Sequence, residues 1–218
     1  MRISRLTTLV KASPALLAMF AVALASQPGH QPKPDASATL SATPPFYACP
    51  PPGYNPSALP NMIQNSSFDV VGPNGTSTSY TGFSGGGSSA AASWDVFHNT
   101  HGTTRTSLVP GNAPGGGPKM LHVYTTGASN GVVQKMFPLN SGPAKVFGSV
   151  WVFVRTGHVC IGTGNGGNTH CDDTSTSLNQ WLQLKSCNGS SPANGAIIYS
   201  VGGPADFYVD LARVTRVQ

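Results

Sequence analysis

Beyond Pro60 the apolar residues come in short β-branched and aromatic runs, separated by Gly, Asn, Ser and Pro clusters at spacings of about 10 to 20 residues. No window repeats apolar positions every three to four residues, so the pattern predicts an antiparallel β-sandwich without helices. The expected strands are Met120 to Thr126, Val132 to Phe137, Val146 to Thr156, His158 to Gly162, Leu178 to Ser186, Ala196 to Ser200 and Asp206 to Val217. Asn130-Gly131 and Asn140-Ser141-Gly142 read as turns between them.

Side chains alternate across a strand, so each run divides into two faces. Leu121 and Val123 oppose Met120, His122 and Tyr124; Val150, Val152 and Val154 oppose Trp151, Phe153 and Arg155; Leu182 and Leu184 oppose Trp181, Gln183 and Lys185. The purely aliphatic sets belong in the core, which sends the aromatic and polar sets to the outer face of a sheet. Flat rings beside polar donors suit a sugar, whose pyranose ring has an apolar C–H face and a rim of hydroxyls. The candidate ligand-binding residues are therefore His122, Tyr124, Trp151, Trp181 and Gln183.

The N-terminus changes the picture of charge and location. Arg2, Arg5 and Lys11 precede a twelve-residue apolar run, Pro14 to Ala25, that ends Ala23-Leu24-Ala25. This is the form of a signal peptide over residues 1–25, too short for the roughly 20 residues of a spanning helix. Cleavage would leave a secreted, extracellular or periplasmic protein with no membrane span. Residues 26–57 hold nine prolines and no apolar periodicity, as expected of a disordered linker. The β-sandwich domain then occupies 58–218, a length that suits a single core.

Of the formal charge of +5, the leader contributes three, leaving +2 on the remainder with no Lys or Arg cluster. A nucleic-acid partner is not expected. The four cysteines, Cys49, Cys160, Cys171 and Cys187, favour disulfides in an exported chain. Three pairings are open, with at least one bridge expected among the last three.

Some motifs look catalytic. Gly82-Phe83-Ser84-Gly85-Gly86 matches G-x-S-x-G, and Ser84 with His98 or His101 and Asp95 would make a hydrolase, but the strand-to-helix elbow of such enzymes is missing. Gly162 to Gly167 reads as a hairpin loop, since no helix follows to bind a phosphate. His98-x-x-His101 and His170-Cys171-Asp172-Asp173 lack a third ligand at metal spacing and read as surface loops. Asn65-Ser66-Ser67, Asn74-Gly75-Thr76 and Asn188-Gly189-Ser190 fit the N-glycosylation sequon.

The domain opens with Leu59-Pro60-Asn61-Met62-Ile63-Gln64-Asn65-Ser66-Ser67-Phe68-Asp69. It closes with Ala205-Asp206-Phe207-Tyr208-Val209-Asp210-Leu211-Ala212-Arg213-Val214, and Ser93-Trp94, Val132-Val133-Gln134 and Val150-Trp151-Val152 lie between. This order resembles the galactose-binding-like β-sandwich (jelly-roll) modules, above all the carbohydrate-binding modules that recognise plant or microbial polysaccharides. The resemblance implies a structural calcium held by Asp69 and Asp210, with the Lys119 backbone as a further donor. Asp69 stands where the family usually has Glu, and Leu211 replaces the second Asp of the closing pair.

The function expected is a secreted, non-catalytic domain that binds a polysaccharide or cell-surface glycan through aromatic side chains on a sheet face. The alternatives are a structural or adhesive protein-interaction domain on the same fold and, more remotely, a serine hydrolase using Ser84.

Overall fold

The computed structural model describes residues 53–135, 145–164, 171–188 and 195–217, all within a compact unit Pro45–Gln218. A 3-10 turn at Pro56–Ala58 leads into nine strands: β1 Ser77–Gly82, β2 Asp95–His98, β3 Gly102–Pro110, β4 Lys119–Thr125, β5 Asn130–Lys135, β6 Lys145–Gly164, β7 Asp173–Thr174, β8 Trp181–Asn188 and β9 Gly195–Val217. Every pairing is antiparallel. The fold is all-β, and no helix among the described residues is long and apolar enough to cross a membrane.

Two strands pass through both layers. The first part of β6 pairs with β8 and with the second part of β9, while its second part pairs with β7 and the first part of β9. One layer therefore runs β1-β3-β4-β9-β6-β8 and the other β2-β5-β9-β6-β7. The crossing point is a double bulge, with register shifts between Val154 and Thr156 and again between Thr156 and His158. Gly157 sits there at φ +78°, and Gly202 at φ +73° serves the bend of β9. The sequence breaks expected at Gly157 and between Ser200 and Asp206 are thus bends in continuous strands. A bulge turns a strand while keeping the ladder on either side.

Between the layers lie Phe68, Trp94, Leu121, Val123, Val132, Val150, Val152, Val154, Ile161, Ile198, Phe207 and Val209, each at most 1% exposed. The aliphatic faces assigned from alternation are the core faces, except that Leu182 is only half-buried near the edge. Phe68 and Trp94 stack at 4.9 Å, and the Trp94 indole N–H donates to the Asn65 carbonyl at 3.3 Å.

The opening segment is sewn to the closing strand. The Met62 N–H donates to the Val214 carbonyl at 2.8 Å, and Asn61 accepts from the N–H groups of Ile63 and Val214 through its side-chain oxygen. Gln134, 4% exposed, holds the backbone of Gln64 from both sides, at 2.7 and 2.8 Å. The Arg213 guanidinium donates to the carbonyls of Pro56 and Leu59, and Tyr54 meets Thr215 and packs edge-on against Phe147. Tyr54 and Pro56 thus contact the closing strand, ahead of Ala58.

β1, β2 and β3 were not among the expected strands. Their inward positions include Thr104, Thr106 and His98 in place of aliphatics. Each is satisfied by hydrogen bonds: Thr106 Oγ1 takes the Ala90 N–H at 2.9 Å and bonds Thr78 Oγ1 at 2.8 Å, and His98 Nε2 bonds Thr104 Oγ1 at 2.7 Å. Asn130-Gly131 is not a turn but the start of β5. The turn lies just before it, with Ser129 at φ +55°, and Gly131 is needed because a Cβ would come within 2.0 Å of the Ile198 carbonyl oxygen. Asn140-Ser141-Gly142 lies outside the described residues. Cys160 and Cys171 form a disulfide, Cys187 is also disulfide-bonded, and no described cysteine is free.

The crossing point yields a test. Gly157→Ala puts a Cβ 2.3 Å from the Pro204 carbonyl oxygen in a left-handed backbone, whereas Gly202→Ala places one in open space. Gly202→Ala should cost about 1–2 kcal/mol from backbone strain alone, and Gly157→Ala clearly more, as read by denaturant unfolding.

Candidate functional site

The outer face of the first layer carries a row of rings. Cross-strand register places Ser107 of β3 opposite His122 of β4, His122 opposite Tyr208 of β9, Tyr208 opposite Phe153 of β6, and Phe153 opposite Trp181 of β8. The rings follow one another at 4.8 Å (His122 to Tyr208, 31° apart), 6.1 Å (Tyr208 to Phe153, 61°) and 5.7 Å (Phe153 to Trp181, 65°). All four are half-buried, because the neighbours along each strand, Leu121, Val123, Phe207, Val209, Val152 and Val154, are the ones drawn into the core. With strands about 4.8 Å apart, the row from His122 to Trp181 is about 15 Å long.

On one side of this row stands a polar one. Arg105 of β3 faces Tyr124 of β4, which is 38% exposed, and Tyr124 faces Asp206 of β9. Asp206 joins the rows: one carboxylate oxygen accepts from His122 Nε2 at 2.7 Å, and the other pairs with Arg155 at 3.3 Å. The Asp206 contact makes Nε2 the protonated nitrogen of His122 and holds the imidazole in the plane of the row. On the other side, Trp151 of β6 lies opposite Gln183 of β8 and Asp210 of β9.

All five residues expected from alternation, His122, Tyr124, Trp151, Trp181 and Gln183, thus share one face across three adjacent rows. Phe153 belongs to the same set and completes the ring row. Tyr208 and Asp206 were passed over although Asp206-Phe207-Tyr208-Val209 alternates as cleanly as the other strands. Arg105 had no such signal, since its neighbours Thr104 and Thr106 face inward without being aliphatic.

Asp69 and Asp210 lie under the adjacent glycines Gly116 and Gly117 and are electrostatically coupled. Asp210 is fully buried, its carboxylate accepting from the Ala113 N–H at 2.9 Å and the Leu211 N–H at 2.7 Å. Lys119 meets Asp69 through its amide N–H at 3.2 Å and through its ammonium, which donates to the Asp69 backbone carbonyl at 3.2 Å. These contacts make Lys119 a donor to Asp69; they show no oxygen of Lys119 turned to the pair. Gly116 and Gly117 lie so close that a Cβ would fall 2.1 Å from Asp210 Oδ2 and 2.2 Å from Asp69 Oδ2. Burial raises the Asp210 pKa above 3.8, the two backbone N–H groups lower it, and the charge of Asp69 raises it again.

Among the described residues neither carboxylate is in an ion pair, although the Lys119 ammonium lies on the Asp69 backbone carbonyl, and two coupled carboxylates are oxygen donors of the kind that suit a hard divalent cation. No cluster of three or more His, Cys, Asp or Glu is found among the described residues.

The catalytic-looking residues do not assemble. Ser84 is exposed at φ +57°, its carbonyl accepting from Tyr80. His98 is buried, not on a surface loop, with both ring nitrogens engaged by the Gly82 carbonyl and Thr104, while His101 stacks on Phe83 at 4.8 Å. Among the described residues no ring nitrogen bonds Ser84. The Asn65 sequon is structural, since its amide donates to the carbonyls of Val70 and Ala92 at 3.0 Å each.

No family model matches the chain, and no curated protein matches it either. It is similar in fold to carbohydrate-binding modules. One is the xylan-binding CBM22-1 domain of Paenibacillus barcinonensis Xyn10C, at 14% identity and TM-score 0.48, covering 73% of this chain and 96% of that one. Another is the C-terminal family 22 module of Clostridium thermocellum Xyn10B, at 20% identity and TM-score 0.45, covering 67% and 96%. A third is a xylan-binding domain of family 22, formerly called x6b, at 19% identity and TM-score 0.44, covering 57% and 86%.

The raised pKa of Asp210 has a sign that can be checked in metal-free protein. The folded state favours the protonated carboxyl, so the stabilisation is complete below the unfolded-state pKa and is lost as pH rises through the folded-state value. In EDTA, Asp210→Asn should therefore compare more favourably with the wild type at pH 7 than at pH 3, as measured by thermal unfolding at both pH values.

Proposed function

We propose that this chain is a non-catalytic polysaccharide-binding domain, and that the glycan lies along the outer face of the layer β1-β3-β4-β9-β6-β8. The observation that carries this function is the ring row from His122 to Trp181 with Tyr124 beside it. A pyranose chain presents alternating C–H faces and hydroxyls, and a row of partly exposed rings flanked by Asp206, Arg155, Gln183 and Arg105 offers both kinds of contact. The ligand-binding residues proposed are His122, Tyr124, Trp151, Trp181 and Gln183, joined by Phe153 and Tyr208. The Cys160–Cys171 disulfide supports folding in an oxidising compartment, in keeping with export after cleavage at Ala25.

The test is retention of the full chain by a panel of insoluble polysaccharides, followed by affinity electrophoresis in gels containing soluble ones. Trp181 lies on the edge strand β8 and Tyr124 is exposed, so Trp181→Ala and Tyr124→Ala leave the core in place. Each should weaken binding about tenfold, near 1.4 kcal/mol, without loss of the folded baseline. Retention by no polysaccharide refutes this function, and full retention of both variants refutes the proposed binding face.

The Asp69 and Asp210 pair is proposed to hold a structural calcium, which would neutralise the buried charge and tie the end of the opening segment to β9. Lys119 keeps Asp69 in place by its N–H. In millimolar calcium the melting temperature should rise above that in EDTA, by the equivalent of about 2.7 kcal/mol where calcium is at a hundred times its Kd. Asp69→Asn should abolish that increment, and an unchanged calcium response in this variant refutes the site.

A further inference from the structure

Charge is unevenly spread over the ring-bearing face. At the far end of β8, the exposed Lys185 has Asp173 beside it, whose carboxylate accepts the Lys185 N–H at 2.9 Å. Around Tyr124 the balance differs. Arg105 and Arg155 stand on either side of Tyr124 and Asp206, and His122 abuts them. Asp206 is the one carboxylate in this group, and both of its oxygens are engaged, one by His122 and the other by Arg155. Arg105 is exposed and, among the described residues, its guanidinium has no ion pair or hydrogen bond. Asp210, the other acid of the β9 face, is sealed beneath the loop carrying Gly116.

A planar guanidinium presents paired N–H donors that match a carboxylate, and it is held here beside a ring on which a sugar can stack. A sugar lying on Tyr124 would bring a substituent at its rim to Arg105, the residue opposite that ring. We infer that the polysaccharide recognised by this face bears uronate carboxylates, one of which is received by Arg105. This inference rests on the polysaccharide-binding function above and adds the chemical class of the ligand. It gives Arg105 a specificity role, while Asp206 positions Arg155 and His122.

The experiment compares the full chain on three polyuronates with their own carboxyl-reduced forms: polygalacturonate, alginate and a xylan carrying glucuronate side groups. Binding is measured by affinity electrophoresis and titration calorimetry at 20 mM and 500 mM NaCl. At least one native polymer should bind about tenfold or more tighter than its reduced form at low salt, with the ratio shrinking at high salt. Arg105→Gln should bring that ratio below about threefold, and Arg105→Lys should restore part of it, since a point charge lacks the bidentate fork. Thermal midpoints of both variants are measured to confirm folding, which the exposure of Arg105 favours.

Equal binding of native and reduced polymers, or binding confined to neutral polysaccharides, overturns the uronate inference and leaves the polysaccharide function standing. Binding of no polysaccharide overturns both. Dextran sulfate is the control: retention as strong as that of the polyuronates, and insensitive to Arg105→Gln, shows unspecific polyanion binding and overturns the inference.

Discussion

The pairing of β6 with β9 is the constraint on which the rest of the molecule depends. The two strands run antiparallel from Lys145 opposite Val217 to Gly164 opposite Gly195, and they belong to both layers. Everything else is hung on this ribbon: β8 and β7 on one flank, β4 and β5 on the other. Because the ribbon must turn between layers, it needs the bulges around Thr156 and the left-handed Gly157. A bulge shifts side chains by one position relative to the partner strand, so it also decides which residues of β6 face outward on each side of the corner. Phe153 and Arg155 precede the corner and keep the outward phase that brings them against Tyr208 and Asp206.

The face and the carboxylate pair are consequences of one strand. In β9, Phe207 and Val209 fill the core, Asp206 and Tyr208 project outward, and Asp210 is followed by Leu211 at φ +49°. The left-handed residue breaks the alternation, and Asp210, which alternation alone would place on the surface, is covered by the segment bearing Ala113 and Gly116. A carboxylate buried in this way is costly unless it is hydrogen-bonded or neutralised. Two backbone N–H groups supply the first remedy, and the proposed calcium would supply the second. On the exposed side of the same strand, Asp206 engages His122 and Arg155, while Arg105 is in no ion pair among the described residues.

The legible part of the fold was the part with aliphatic alternation. Val150, Val152 and Val154, or Leu121 and Val123, announce their inward face because each outward neighbour differs in kind. β1 and β3 were illegible for the complementary reason: Thr104, Thr106 and Thr78 face a polar part of the interior where hydroxyls pair with one another and with His98. Asn130-Gly131 misled because the glycine answers a close approach of Ile198 across the ladder, which no local pattern encodes. For the site, the rings of β4, β6 and β8 were visible, while Tyr208 and Asp206 were hidden in a closing motif read for its calcium role.

Local pattern settled the class of the protein: an all-β chain, the inward faces of its aliphatic strands, and a set of rings excluded from the core. These follow from the two-residue period of a strand and from the free energy of removing aliphatic surface from water, both of which act over a few neighbouring residues. Which rings become neighbours, that Arg105 faces Tyr124 across β3 and β4, and that Asp210 is covered by the Gly116 segment were decided only by the tertiary structure. Strand order and register are set by packing between segments up to 162 residues apart, and no short stretch of sequence carries that information.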